Sequence, residues 1–197
     1  MKCVRLRDLF LILILLTVLP LELSARLTVN YDKTLSDPKN GISFHIRSVL
    51  REFDSVLTLT PKGLKKAGKI RKVLDGMMVI GADIADLNHD GQPELYLFTS
   101  GMGSGAYGGV LAYTVTSGGD LVPIQYRELD ENSRLLQGYR GKDEFFIVGD
   151  RLVRRFPVFR EEDPECCASG GNRLIYYKLE PAGSGWELKI ARVENRP

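Results

Sequence analysis

Leu95-Tyr96-Leu97-Phe98-Thr99 and Val110-Leu111-Ala112-Tyr113-Thr114-Val115 are short segments rich in Leu, aromatic and β-branched residues, and the link between them, Ser100 to Gly109, is half glycine. Segments of this length and composition around a glycine-dense link read as β strands, since a helix needs ten or more residues at a 3.6 period. The same texture continues outward. Upstream lie Phe44 to Val49, Val56 to Thr60 and Met77 to Ile80; downstream lie Phe145 to Val148, Leu174 to Leu179 and Trp186 to Ile190. Between them stand Asp-Pro, Asn-Gly, Asp-Gly, Gly-Gly and Gly-Asp steps, the residues of tight turns. The expected fold class is all-β, an antiparallel β-sandwich or flattened barrel with at most one short helix, placed near Glu131 to Gly138. The basic segment Lys62 to Val73 contains Gly63 and Gly68 and is expected to be a loop followed by a strand. No repeat and no composition break divides residues 26–197, which are read as one domain.

The chain has 197 residues, 44% hydrophobic and 26% charged, a globular composition. Its 27 Lys and Arg against 25 Asp and Glu give a formal charge of +2, with no excess to hold a phosphate backbone, so nucleic acid is not an expected partner. Residues 1–25 differ from the rest. Lys2, Arg5 and Arg7 precede an uncharged apolar run from Leu9 to Leu19; Pro20 breaks it, and Leu23-Ser24-Ala25 offers a cleavage site. The run is shorter than the roughly 20 residues that span a bilayer, and it reads as an export signal cut after Ala25, leaving no membrane segment in the mature chain. Cleavage removes three positive and two negative charges, so the mature chain carries +2 minus 1, or +1. Cys3 leaves with the signal. Cys166 and Cys167 remain, adjacent in sequence; an oxidising compartment allows a vicinal disulfide or a pair of unpaired thiols, and the two readings stay open.

Three motifs overlap between Gly81 and Tyr113. Asp86-Leu87-Asn88-His89-Asp90-Gly91-Gln92-Pro93-Glu94 spaces oxygen ligands as D-x-N-x-D-G-x-x-E, a pattern that suits a hard cation such as Ca²⁺. The acidic residue comes three positions after the glycine rather than six, and the flanks are strands, so an EF-hand is excluded. The simpler reading is a turn in which Asp and Asn side chains bond nearby amides without metal. A calcium-binding envelope module, structural or adhesive, with Asp86, Asn88, Asp90 and Glu94 as ligands is kept as the alternative. Gly103-Ser104-Gly105-Ala106-Tyr107-Gly108 matches G-x-G-x-x-G, but a strand follows where a dinucleotide site needs a helix N-terminus. Ser104 is not in a G-x-S-x-G elbow, because Met102 and Ala106 occupy the glycine positions. What remains is a glycine-rich hairpin loop that offers one hydroxyl, Ser104, and one phenol, Tyr107. His45 and His89 are the only histidines, so no multi-histidine centre can be built. An envelope enzyme using one of them as base is a further reading; His45 is expected to be a packed or edge residue and His89 a solvated one.

In this order, the segments Asp86 to Glu94, Ser104-Gly105-Ala106-Tyr107, Gly109 to Tyr113, Gly141 to Phe145, Arg151 to Pro157 and Ser169 to Arg173 resemble the bacterial periplasmic inhibitors of invertebrate-type lysozyme (PliI). The resemblance covers most of the mature chain. It implies an all-β, non-enzymatic protein of the Gram-negative periplasm, or secreted, without a cofactor, whose Ser-Gly-x-Tyr loop enters the lysozyme cleft. The lysozyme-binding residues it implies are Ser104, Gly105 and Tyr107. The Cys166-Cys167 pair is a departure from the family pattern. A homodimer is left open.

Such a loop makes physical sense. A glycosidase cleft holds two carboxylates, one of them commonly kept protonated. A serine hydroxyl can donate to one and accept from the other, and a tyrosine adds a rigid aromatic anchor. A basic side chain at the rim would engage the same carboxylates, with Arg127, Arg134 and Arg140 as candidates.

Overall fold

The computed structural model describes residues 27–197; the expected export signal lies outside them. The described residues form twelve strands in two sheets. Strands β1 (Thr28–Asp37), β2 (Ile42–Arg51), β3 (Asp54–Lys62) and β4 (Ile70–Asp75) follow one another in a four-stranded antiparallel meander. Strands β5 (Met77–Ala85), β6 (Glu94–Gly101), β7 (Gly108–Val115), β8 (Leu121–Tyr126), β9 (Glu144–Val148), β10 (Arg151–Pro157), β11 (Asn172–Ala182) and β12 (Gly185–Arg196) form an eight-stranded sheet ordered β5-β6-β7-β8-β12-β11-β10-β9. That sheet curls until β5 and β9 approach each other, making a nearly closed barrel.

The barrel interior is filled by Tyr96, Phe98, Val110, Ile124, Phe145, Leu152, Phe156, Ile175 and Tyr177. The meander lies on the outside of β5 to β7, packing Phe44, Ile46, Leu57 and Leu59 against Val79, Leu95, Leu97, Tyr113 and Val115. β6 is therefore covered on both faces: Tyr96 and Phe98 point into the barrel, Leu95 and Leu97 into the sandwich. This is why its sequence is a continuous apolar run rather than an alternation. Each such side chain withdrawn from water contributes about 1.5–3 kcal/mol.

The all-β expectation holds, and the basic segment is a loop leading into β4. The only helical turn among the described residues is the 3₁₀ segment Arg134–Leu136, started by Ser133, whose hydroxyl accepts from Leu135 N–H at 3.3 Å. One strand pair departs from the antiparallel expectation. β12 runs parallel to β8, with Glu187 opposite Gln125 and Leu188 opposite Tyr126, because β9 to β12 form their own meander whose last strand returns beside β8. A connection of that length can join parallel neighbours, which a tight hairpin cannot.

Candidate functional site

Met102 to Tyr107 connect β6 to β7. Gly101 N–H donates to Tyr107 O at 2.8 Å and closes the base of the loop, and Ala106 N–H donates to Gly103 O at 3.1 Å inside it. Ser104 is exposed, and Tyr107 is 55% exposed. Ala106 has φ +43°, a left-handed conformation that costs an L residue about 1–2 kcal/mol. Neighbouring structure must impose that conformation.

The imposing groups lie on both sides. Met102 N–H donates to Gly76 O at 3.0 Å. Opposite, Gly105 O accepts from Lys142 N–H at 2.7 Å, and Gly108 N–H donates to Asp143 Oδ2 at 2.9 Å. Gly141 permits this approach: it sits at φ +84°, and a Cβ there would stand 2.0 Å from Gly105 O. At Gly108 a Cβ would stand 2.5 Å from Asp143 Cβ, so neither Gly141 nor Gly108 leaves room for a side chain where the loop meets the 139–143 segment.

Asp143 is the anchor of this arrangement. Its buried carboxylate accepts from Gly108 N–H and from the Tyr139 hydroxyl (2.5 Å) through Oδ2, and from Arg154 Nε (2.7 Å) through Oδ1. Arg154, whose side chain is 3% exposed, also donates to Tyr139 Oη at 2.9 Å and packs on the rings of Tyr139, Phe145 and Phe156. Burial, then the neighbouring Asp143 carboxylate, hold the Tyr139 hydroxyl above its ordinary pKa, so it stays a donor. Tyr139 meets the exposed Tyr107 edge to face, ring centroids 5.7 Å apart. The site thus runs from a buried ion pair, through Tyr139, to the exposed ring of Tyr107.

Tyr107 stands between two grooves. One, of about 500 Å³, is bordered by Ser104, Gly105, Arg140, Lys142, Glu165 and Cys166. The other, of about 440 Å³, is bordered by Glu128, Leu129, Glu131, Leu136, Tyr139 and Arg154. In the first, Arg140 Nη1 donates to Asp163 O and to Glu165 Oε1, both at 2.9 Å, and its guanidinium stacks on Phe159. Lys142 Nζ donates to Glu165 O at 2.6 Å. The two cations hold the segment after β10 beside Ser104, and within it Cys166 and Cys167 are joined to each other, which resolves the two cysteine readings.

Of the three arginine candidates only Arg140 borders the loop. Arg127 pairs with Glu187 at 2.7 Å, and Arg134 lies in the 3₁₀ turn. Lys142, Asp143 and Arg154 were not singled out from the sequence. Their only signal was membership of the family-like segments Gly141 to Phe145 and Arg151 to Pro157. His45 lies 2.8 Å from Asp32 on β1, and His89 is 71% exposed, 3.8 Å from Asp150; neither borders the two grooves beside Tyr107.

The acidic turn is at the other end of β6. Asp86 Oδ1 and Oδ2 accept from the N–H groups of Asp90 and Gly91, both at 3.0 Å, Asn88 Oδ1 accepts from Asp90 N–H at 2.9 Å, and Asp90 Oδ1 accepts from Gln92 N–H at 2.8 Å. These are the expected side chain-to-amide bonds. Glu94 differs from its neighbours: it is fully buried on the barrel face of β6, and its Oε2 accepts from Leu87 N–H at 2.7 Å. Burial pushes its carboxyl up to about 8; the Leu87 amide and, more weakly, the Tyr96 hydroxyl oppose this, and Asp86 and Asp90 add to it.

Comparison of the chain with protein-family models, with curated proteins and with solved structures gives no match.

Proposed function

We propose that the mature chain is an exported, periplasmic or secreted, non-enzymatic inhibitor of a lysozyme, of the invertebrate type on the family resemblance. It acts by placing the Ser104–Tyr107 loop in the active-site cleft. The observation that carries this reading is the combination of exposure and tethering in one loop: Ser104 and Tyr107 face solvent, while amide bonds to Gly76, Lys142 and Asp143 fix the backbone beneath them. A loop ordered before binding loses little entropy on entering a cleft. Ser104 would bridge the two cleft carboxylates, and Tyr107 would lie where a sugar ring stacks.

The surroundings suit a protein partner. Beside Ser104, Arg140 pairs with the Glu165 carboxylate while Lys142 Nζ donates to the Glu165 backbone carbonyl, so two cations stand beside one carboxylate and net positive charge would face a cleft whose working groups are acidic. Phe53, 83% exposed at the tip of the β2–β3 hairpin, lies at the same end of the molecule. Asp54 Oδ1 accepts from Gly76 N–H at 3.4 Å, and Gly76 O accepts from Met102 N–H. Phe53 would thus supply apolar area near the rim.

The test is a cell-wall lysis assay in which the mature protein is titrated against invertebrate-type, chicken-type and goose-type lysozymes. Inhibition of the invertebrate type at stoichiometric concentrations is expected. Unchanged lysis by all three would overturn the proposal.

A further inference from the structure

We infer that Asp86, Asp90 and Glu94 form a Ca²⁺ site that fastens the β5–β6 turn, independently of what the Ser104 loop binds. The sequence alone favours a metal-free turn, and the side chain-to-amide bonds of that turn are present. The position of Glu94 adds what the sequence could not show. Its carboxyl is fully buried, and Oε1 has no hydrogen-bond partner among the described residues. Two residues along the same strand face, the Tyr96 hydroxyl is its neighbour, close enough for each group to shift the other's titration, yet neither atom makes a hydrogen bond of ordinary geometry. A buried acceptor left open is costly, and most are satisfied by protein, water or an ion.

The Glu94 carboxyl has two other carboxylates beside it. One carboxylate oxygen from each of Asp86, Asp90 and Glu94 lies within 4.8 Å of the others. Two opposed Ca–O bonds span about 4.6–5.2 Å, so one Ca²⁺ can touch all three. No lysine or arginine forms an ion pair with these carboxylates among the described residues, so their charge is not balanced by such a partner. The amide bonds do not use up the ligands, since a carboxylate offers about four lone-pair positions and each Asp86 oxygen spends one on an amide. The donors are all oxygen, with no imidazole or thiolate in the cluster, which selects a hard cation over zinc or copper. Glu94 forms a buried wall, Asp86 is half-buried and Asp90 is exposed, leaving one side open for water ligands.

The site would lock the start of β6. Asn40, from the turn between β1 and β2, already donates to Gly91 O at 3.0 Å, so fixing this turn also fixes the meander against the barrel. It would not touch the Ser104 loop, which is β6's length away, roughly 23 Å at 3.3 Å per residue.

The experiment is thermal unfolding of the mature chain in chelator, in Ca²⁺ and in Mg²⁺ at equal concentration, with Asp90→Asn and Glu94→Gln beside the parent. Ca²⁺ at about a hundredfold excess over its dissociation constant should raise the parent midpoint by roughly 5–10 °C. Both variants should lose most of that rise, and Asp90→Asn, at an exposed position, keeps the test valid if Glu94→Gln folds poorly. No shift in the parent, an equal shift with Mg²⁺, or a full shift retained in both variants would overturn the inference. Lysozyme inhibition measured in parallel separates this outcome from failure of the proposed function, because the two sites lie at opposite ends of β6.

Discussion

The two ends of β6 are finished in opposite ways. Beyond Gly101, the loop carrying Ser104 and Tyr107 rests on a closed network: Asp143 has partners on both oxygens, and Arg154 is held by Asp143 and Tyr139. Before Glu94, the turn satisfies its exposed side chains with backbone amides but leaves the buried Glu94 Oε1 open. The loop proposed to meet a partner is supported from within, whereas the acidic turn keeps a buried oxygen without a hydrogen bond. In both cases the position of a buried ionisable side chain, rather than the exposed motif, distinguishes the end.

The strongest way to break this contrast is to open the closed end. Asp143→Ala removes the carboxylate and leaves the buried Arg154 only the more exposed Glu128, 3.5 Å away, as a charge partner, which should cost about 3 kcal/mol, the lower end of the range for breaking a buried pair. Urea denaturation should show it, and inhibition should fall as the loop loses its anchor. A loss below about 1 kcal/mol would mean that the network does not hold this end together.

A smaller perturbation isolates the contact between the loop and its support. Gly141→Ala combines a left-handed backbone with a Cβ 2.0 Å from Gly105 O, and about 1–3 kcal/mol of destabilisation is expected. Gly149 is also left-handed, at φ +59°, but has open space around a Cβ, so Gly149→Ala should cost only about 1 kcal/mol and leave inhibition unchanged. Equal effects of the two variants would place the cost in the backbone conformation alone.

The open end should respond to pH in the absence of metal. The Glu94 carboxyl, pushed up to about 8 by burial with Asp86 and Asp90 adding, keeps a proton in the folded chain that the unfolded chain has already lost. Its contribution is fully present below the ordinary carboxyl range and is lost as pH rises through about 8, so stability should fall with pH, by about 1 kcal/mol between pH 7 and 8. Glu94→Gln should flatten that slope, as denaturation curves in chelator at the two pH values would show. A slope unchanged by the substitution would assign the titration to another group.

Much of this molecule was legible in its sequence, and the gaps have physical causes. Strands with buried apolar faces, such as β2, β6 and β7, declared themselves by composition. β1 did not, because it is an edge strand in which only Tyr31 is buried. β10 did not, because Arg154 occupies a core position and interrupts the apolar pattern with a charge. Ser104, Tyr107 and the acidic turn could be singled out as candidates because each sits in one contiguous motif. The Gly108, Tyr139, Asp143 and Arg154 cluster was not, since its members come from different elements and nothing in their spacing brings them together. Lys142 was missed for the same reason: it matters through Gly105 and Glu165, neither of them near it in sequence.

The central claim is that the supported loop is the inhibitory element, and the most direct measurement is the inhibition constant of Ser104→Ala and Tyr107→Ala against a lysozyme that the parent inhibits, with circular dichroism recorded for each. Losing a hydrogen bond to a charged group costs roughly 1.5–3 kcal/mol, so Ser104→Ala should weaken inhibition about ten- to a hundredfold with an unchanged spectrum. Tyr107→Ala, as the aromatic anchor, should cost at least about 2 kcal/mol. Ser117→Ala, on the β7–β8 turn, should inhibit as the parent does. If both loop variants inhibit as well as the parent while remaining folded, the Ser104–Tyr107 loop is not the inhibitory element.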